Sequence, residues 1–563
     1  MKKIFINILK RVRLGFNLLV VGLLMTVFQT AQGQQAGEVK DQEFIIRKDR
    51  VLTLPTQPRK FERIPALPTP KSSTNFNYEV KPFFLSLPPD DIKTEVFQKN
   101  FPKEDQDYFP GFVRFGLGNY SSPLLEGRYN VWEDSNYDIS AKLKHQGFYR
   151  GPVDGNNSAE NFTNFEASGT LFRDVFQAYG GINYDRHQIS FYGYDPTNPD
   201  FENFVTDVNV LNTVQVKAGI QNIDKMDGLN YNAMMRIRGF NDNFQASENE
   251  IAFTANSDFW FDDYLKTAVN FDLSLTSPSD VFYNDINRNY FKINPYVGYQ
   301  NESLLIKAGI NLVFENDITS NKKSDVHVFP MVNGQYMLRD EIGVFALFEG
   351  DVIRKTYYDF VMENPFLGPS EQLLNTIQNY KTGAGLKGKL LDEFTYEAGF
   401  TVGKYRNMHF FANSLTDSLR FNILYDEITD VLNYTLKVGW EYEGWYKLMA
   451  NADYYYYSLG SLNAAYHRPE WEVRINNQFL PTKELMIQFN AHLMGGIQGF
   501  NQQNEFSQKL PTILDLQLKG DYQITERISA FVIGNNLLNR TNQRFLNYPV
   551  RGIQGIVGAT LKF

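Results

Sequence analysis

Histidine is the side chain in this sequence that could most readily ligate a metal ion or act as a general base. No two of the six histidines lie three or four residues apart, so the HExxH type of ligand pair is absent. There is no cysteine, which excludes disulfides, thiolate metal sites and cysteine nucleophiles. The motifs of nucleotide-binding loops and of serine-hydrolase elbows are absent too. We therefore predict that the protein is not an enzyme and holds no cofactor or metal. The six histidines are expected to be side chains of loops or of the lumen: His145, His187, His327, His409, His467 and His492.

Two acidic segments, residues 195–207 and 417–430, are the other places where a cation could bind. Carboxylate oxygens suit Ca²⁺, but these residues do not follow the spacing of an EF-hand loop, and a solvated acidic loop is the simpler interpretation. The formal net charge of −9 gives no indication of a nucleic-acid partner, which would require a basic face. The carboxylates concerned are Asp195, Asp200, Glu202, Asp207, Asp417, Asp426, Glu427 and Asp430.

Residues 1–33 are predicted to be a signal peptide. Five basic residues precede an apolar stretch over residues 14–28. Ala31 and Gly33 then have the spacing that signal peptidase recognises. Cleavage is therefore expected before Gln34. A membrane anchor is the alternative, but the apolar stretch is shorter than the about 20 residues that a transmembrane helix needs. We expect the mature chain to be exported.

Residues 34–110 differ in composition from everything that follows. They contain ten prolines. Because proline fixes φ and lacks an N–H, this density excludes regular helix and interrupts sheet ladders, and it favours extended chain. One short strand is possible over residues 43–54. We interpret residues 34–110 as a proline-rich segment that lies in the periplasm or within the lumen of the domain that follows.

From residue 111 to residue 563 apolar and polar residues alternate. Successive side chains of a strand point to opposite faces, so each such run has one apolar and one polar face. The same pattern recurs over residues 139–143, 267–275, 471–475 and 514–518. The clearest run is Leu432, Tyr434, Leu436, Val438, Trp440 and Tyr442, in which a small or polar residue follows each member.

The connections between these runs alternate between tight turns and long loops. That alternation is typical of bacterial outer-membrane β-barrels, in which tight turns are periplasmic and long loops extracellular. The segments between residues 112 and 563 number about 22, and the even number agrees with the rule for such barrels. The sequence therefore predicts an all-β fold, a transmembrane antiparallel barrel over residues 111–563 of a Gram-negative outer membrane.

The final strand carries a signal of its own. Phe563, Leu561, Ala559 and Val557 share one face, and the strand ends on an aromatic residue. An alternating strand with a terminal aromatic residue is what the barrel-assembly machinery recognises in this class of protein. We therefore expect that machinery as a partner during biogenesis, and outer-membrane lipids as the permanent surroundings.

The C-terminal region resembles the end of TonB-dependent receptor barrels, in which an N-L-x-N-R segment, a Y-P-x-P/R-G loop and a terminal aromatic strand recur together. That family has 22 strands around a plug. The start of the barrel, residues 111–130, looks like the first hairpin of plugless, receptor-like barrels common in the Bacteroidetes. The matching C-terminal residues are Asn536, Leu537, Asn539, Arg540, Tyr548, Pro549, Arg551 and Gly552.

The N-terminal side departs from that family. A TonB-dependent receptor has a globular plug of well over a hundred residues, whereas only about 77 proline-rich residues precede this barrel. The resemblance implies transport across the outer membrane, without the usual plug. The alternative is a structural role as an accessory barrel of an assembly or secretion complex, with lipoproteins or other outer-membrane subunits as partners.

Overall fold

The computed structural model describes residues 109–133, 136–223, 228–283, 286–317, 325–370 and 372–563. Within these ranges, 22 strands form one antiparallel sheet whose last strand pairs with its first. The barrel strands are β1 (Gly111–Gly118), β2 (Ser122–Glu133), β3 (Tyr137–Phe148), β4 (Glu160–Phe172), β5 (Phe176–Ser190), β6 (Val208–Asn222), β7 (Gly228–Asn241), β8 (Ser247–Trp260), β9 (Leu265–Ser279), β10 (Arg288–Gln300), β11 (Leu304–Glu315), β12 (Asp325–Arg339), β13 (Ile342–Ile353), β14 (Thr376–Leu390), β15 (Phe394–Arg406), β18 (Thr429–Tyr442), β19 (Tyr446–Leu459), β20 (Trp471–Phe479), β21 (Leu485–Gly495), β24 (Ile513–Gln523), β25 (Ile528–Asn535) and β28 (Gln554–Lys562).

The remaining elements lie in connections between barrel strands. One α-helix, α1 (Tyr357–Glu363), and two short 3₁₀ helices (Gly155–Ser158 and Pro199–Phe201) are found in the described part of the chain. None of these helices is long and apolar enough to cross a membrane. The additional strands are β16 (Met408–Asn413), β17 (Phe421–Asp426), β22 (Gln498–Asn501), β23 (Phe506–Lys509), β26 (Gln543–Phe545) and β27 (Tyr548–Pro549).

The predicted barrel is confirmed, including its strand number and antiparallel order. The long connections gather at one end, which we call the outer end because long loops of such barrels are extracellular. Two outer connections are tight, residues 119–121 and 242–246, so the alternation of short and long is not strict. The predicted signal peptide and residues 34–108 lie outside the described residues.

The ring closes through a tight seam between β1 and β28. The backbone N–H groups of Gly111 and Phe563 donate to each other's carbonyl oxygens at 3.0 Å, and the Phe563 ring stacks on Tyr129. Farther along the seam Gly116 pairs with Gly558, and a Cβ on Gly558 would lie 2.1 Å from a backbone oxygen of β1. Glycine is therefore required where these strands approach closely.

The two faces of each strand have opposite character. On β28, Val557, Ala559, Leu561 and Phe563 are exposed on the outer surface, where lipid would cover them, as the alternation predicts. The intervening residues face the lumen, where Thr560 accepts a hydrogen bond from Arg114 at 2.9 Å. The assignment of the terminal residues as an assembly signal stays a prediction.

Aromatic side chains collect near the turns at the end opposite the long loops. Trp440 packs against Tyr446 with ring centroids 5.2 Å apart, and Trp445 packs against Phe479 at the same separation. Such girdles mark the level at which a barrel passes from hydrocarbon to headgroups. The residues of β18 that precede Trp440 in the chain lead toward the outer end, and they therefore lie progressively deeper in the bilayer.

Leu436 tests this assignment of faces. It is 46% exposed on the outer surface of the barrel. It lies four residues before Trp440 in β18 and therefore nearer the bilayer centre. We expect Leu436→Arg to lower the free energy of unfolding by about 2–4 kcal/mol, because a guanidinium near the midplane is poorly solvated. Lys437→Arg is the matched control, since Lys437 faces the lumen and its Nζ lies 2.8 Å from Glu397. Equal losses in urea titrations of refolded barrels would contradict the assignment.

Candidate functional site

The long outer connections share one hydrophobic core. Their aromatic and aliphatic side chains are buried against one another rather than exposed around an open mouth. A second, smaller cluster continues this core beside β21 and β24. We call these connections the cap; they comprise residues 149–159, 191–207, 354–375, 407–428, 460–470, 496–512 and 536–553.

Three aromatic rings form the centre of the cap. Phe366 stacks on Tyr548 with ring centroids 3.7 Å apart, and Tyr192 packs edge-on against both rings at 6.0 and 5.1 Å. The Tyr192 hydroxyl donates to the Pro549 carbonyl at 3.0 Å, and the Tyr548 hydroxyl donates to the Leu419 carbonyl. Buried tyrosine hydroxyls usually need such partners, so the centre is satisfied as well as packed.

These three rings come from widely separated parts of the barrel wall. Tyr192 follows the fifth strand of the ring, Phe366 the thirteenth, and Tyr548 the twenty-first of 22. The connections are thus rooted eight, eight and six strands apart around the ring. Loops rooted so far apart can meet only by extending across the opening. The cap therefore covers the outer mouth of the barrel.

The residues of the C-terminal motif shape the last of these connections. Asn536 has a left-handed φ of 47°, and its side-chain amide donates to the carbonyls of Arg540 and Arg551, both at 2.9 Å. One side chain thereby holds the two ends of the loop together. Asn539 accepts from the Ile553 N–H at 2.9 Å, and a Cβ on Gly552 would lie 2.4 Å from its amide oxygen.

Three of the motif residues differ in their surroundings. Arg551 is buried, places its guanidinium 3.9 Å over the Phe148 ring, and forms an ion pair with Glu160 on β4. It therefore joins the last connection to the barrel wall. Leu537 donates its backbone N–H to the Leu516 carbonyl at 3.1 Å, whereas Arg540 is exposed.

Buried charges on the barrel wall hold α1 in place. Glu248 on β8 accepts a hydrogen bond from the backbone N–H of Tyr357, the first residue of α1, at 2.8 Å. Arg238 on β7 lies between Glu248 and Glu250 and also donates to Thr356, the N-cap residue of the helix. Because buried charges are costly without partners, these contacts make the position of α1 specific.

Three carboxylates of the two acidic segments, Asp207, Asp417 and Asp426, make contacts within the cap. Asp430 lies on β18, and Asp200, Glu202 and Glu427 are exposed. Arg420 lies between Asp417, at 3.1 Å, and Asp207, at 3.5 Å, and its guanidinium covers the Phe244 ring. Asp426 accepts hydrogen bonds from the backbone of residues 460–462 and from Thr429. These carboxylates hold neighbouring loops together.

A buried histidine and a partly buried glutamate also lie within the cap. Glu363 at the end of α1 accepts from His409 on β16 at 2.8 Å, and Arg468 approaches both. Burial lowers the pKa of His409 to about 4, although Glu363 opposes that shift. Burial alone would raise the pKa of Glu363, but His409, Arg468 and Lys355 hold it well below the usual range. At neutral pH the imidazole is therefore neutral and the carboxylate charged.

The C-terminal motif is the one part of this site that could be recognised in the sequence. The motif residues were identified by resemblance, and the structure brings Tyr548, Pro549 and Arg551 into the cap. Phe366, Tyr192 and α1 were not predicted as a site. The aromatic residues of the 354–375 connection follow no period that would identify their contacts.

Comparisons with known proteins identify the barrel by its shape alone. Neither a protein-family model nor a curated protein matches the chain. The ferric-catecholate import receptor Fiu of E. coli K12 superposes with a TM-score of 0.61 at 10% identity, covering 82% of each chain. The FrpB iron transporter of Neisseria meningitidis gives 0.63 at 10% identity, covering 81% of this chain and 82% of that one. The pyoverdine outer membrane receptor FpvA of Pseudomonas aeruginosa gives 0.59 at 12%, covering 82% and 79%. The protein therefore has the fold of outer-membrane receptor barrels.

Phe366→Ala tests the centre of the cap. Removing a fully buried ring that packs against aromatic rings of two other connections should destabilise the cap by about 3–5 kcal/mol. Cap peptides should then exchange amide hydrogens faster in mass-spectrometric measurements, while peptides of the barrel strands stay protected. Phe282→Ala is the control, because Phe282 is 56% exposed in the β9–β10 connection. Unchanged exchange in Phe366→Ala would show that the cap does not depend on this ring.

The cap should also weaken in acid. Because the pKa of His409 is lowered from 6.5 to about 4 in the closed cap, an open cap binds the proton more readily. The stabilisation of the closed cap by neutral His409 is therefore complete above pH 6.5, and it is lost as the pH falls toward 4. The pKa of Glu363 is also lowered in the closed cap, so protonation of this carboxylate at lower pH should destabilise the closed cap further.

Spin labels can measure this loosening directly, since the sequence has no cysteine. Labels at Val205→Cys and Leu415→Cys would sit on exposed positions of two cap loops, 78% and 61% exposed. Their distance distribution should broaden between pH 6.5 and 4. His409→Gln should move the broadening to lower pH, whereas His145→Gln in the barrel wall should not. A pH-independent distribution in the parent protein would contradict the prediction.

Proposed function

We propose that this protein is a TonB-dependent-receptor-like barrel that takes part in transport across the outer membrane. The observation that carries the proposal is the closed 22-strand barrel whose outer mouth is covered by its own loops. A ring of this size encloses a lumen too wide for its side chains to fill, so passage must be controlled. The solved structures with this fold are named as an import receptor, an iron transporter and a pyoverdine receptor.

The proposal includes the processing and surroundings of the chain. Residues 1–33 would be removed as a signal peptide, and the barrel-assembly machinery would insert residues 111–563 into the outer membrane. Residues 34–110 would lie partly inside the lumen and take the place of a plug. The segment keeps apolar residues that a solvated tether would usually lack, among them Phe44, Phe61, Phe83 and Phe84.

A second candidate is an accessory barrel subunit of an outer-membrane assembly or secretion complex. The cap favours it, because aromatic packing and buried ion pairs fix loops from three sides of the ring. A receptor that takes up ligand from outside must move such a cap, whereas a scaffold need not. Neither role requires catalysis, and we propose that the protein is not an enzyme.

Gentle detergent extraction distinguishes the two candidates. A transport barrel should be recovered alone or with a periplasmic energy-coupling partner. An accessory subunit should be recovered in a stable, stoichiometric set with lipoproteins or other barrels. Recovery of such a set from cells, in amounts that survive a salt wash, would overturn the transport proposal in favour of the second candidate.

Permeability tests the arrangement of the two barriers. If the cap and residues 34–110 block one lumen in series, deleting residues 38–105 alone should raise planar-bilayer conductance only as far as the cap allows. Combining the deletion with Phe366→Ala should raise it far more than either change alone. The matched control combines the deletion with Phe282→Ala. If Phe366→Ala alone conducts better than the full chain and as well as the double variant, residues 34–110 do not close the lumen.

A further inference from the structure

One arginine of the cap differs from the others in its partners. The cap contains seven arginines, of which two are exposed and four form ion pairs with carboxylates of the cap or of the barrel wall. The remaining arginine is Arg544, and no carboxylate in the described part of the chain lies within ion-pair distance of its guanidinium. The paired arginines are Arg354, Arg420, Arg468 and Arg551, and the exposed ones are Arg150 and Arg540.

The contacts of Arg544 hold its guanidinium in place without balancing its charge. Arg544 lies on β26, and its Nη1 donates to the backbone carbonyl of His467. The central carbon of the guanidinium lies 5.4 Å from the centroid of the Phe545 ring. Nε is buried and has no hydrogen-bond partner among the described residues. Because a buried charge is costly unless it is paired, we expect an anion to balance Arg544.

The glutamates near Arg544 are already paired with other arginines. Burial lowers the pKa of Arg544, and the positive charge of Arg468 lowers it further. Glu363 and Glu472 oppose this shift, so both lie within electrostatic reach of the guanidinium. Glu363, however, forms an ion pair with Arg468 at 3.7 Å. Glu472 forms one with Arg474 at 2.5 Å. Three guanidinium groups therefore share two carboxylates, and a positive charge is left over.

Arg544 lies where the cap meets the lumen. Tyr454 and Tyr456 on β19 are 48% and 59% exposed on the outer surface of the barrel, so Tyr457 faces the lumen. Tyr457 is close enough to act on the charge of Arg544. Its hydroxyl forms no hydrogen bond with the described residues, and a phenol can donate to an oxyanion. A solute below the cap can therefore contact both side chains.

We propose that Arg544 and Tyr457 bind an oxyanion group, of the carboxylate or phosphate type, on a solute that passes beneath the cap. A guanidinium presents paired N–H donors whose geometry matches two oxygens of a carboxylate or a phosphate. The tyrosine hydroxyl adds a donor from the lumen wall. The inference rests on the proposed transport function and deepens it, because it names an anionic class of solute.

Calorimetric titration of the full chain tests the site. The protein is purified in detergent in a chloride buffer and titrated at constant ionic strength with sodium phosphate and, separately, with sodium citrate. We expect one saturable equivalent of at least one of these anions. Arg544→Gln should weaken binding about 10–100-fold, and Tyr457→Phe about 2–10-fold, because a charged hydrogen bond contributes more than a neutral one. Arg540→Gln is the matched control, since it removes an exposed arginine of the same connection and should leave binding unchanged.

Three results would overturn the proposal. The first is that neither anion binds saturably to the parent protein. The second is that Arg544→Gln, shown to be a folded barrel by heat-modifiable migration on gels, binds as tightly as the parent. The third is binding that appears only after deletion of residues 38–105, because carboxylates of that segment would then be the partners of Arg544. Recovery of a stable complex with lipoproteins would overturn transport but leave the measured anion binding in place, so the two failures are distinguishable.

Discussion

The structure depends on one constraint, which is that every backbone N–H and C=O group in hydrocarbon must find a partner within the protein. The sheet meets it by closing, and the bonds between Gly111 and Phe563 show the closure at the seam. Closure in turn fixes the even strand number and sends alternate connections to opposite ends. The long ones are thereby gathered on one rim, which is the condition for loops to build a common core.

The barrel could be predicted from sequence because lipid and lumen impose a local, repeating pattern. Leu436 and Lys437 adjoin in the chain but face different media, and the alternation records this directly. The seam glycines carry no such pattern, and only the register of Gly116 with Gly558 shows what they accommodate. Tight outer connections such as residues 242–246 were harder to place, since a short turn carries no mark of its side of the membrane.

The cap could not be predicted, because it is a product of long-range contact between connections. Phe366 and Tyr192 belong to irregular connections, and nothing in their spacing indicates that they meet. The role of Tyr548 was likewise invisible, although its motif was recognised.

The position of Tyr548 has a consequence for the order of folding. Its connection is the last in the barrel, between β25 and β28, while its partners follow β5 and β13. The core of the cap therefore cannot be completed before the final hairpin is present. Contacts of such long sequence separation form slowly, and until then Phe366 and Tyr192 lack the ring that covers them. Unfinished chains would expose this aromatic surface, the kind of surface that makes assembly intermediates prone to aggregate. A complete cap is therefore possible only after the final hairpin of the barrel has formed.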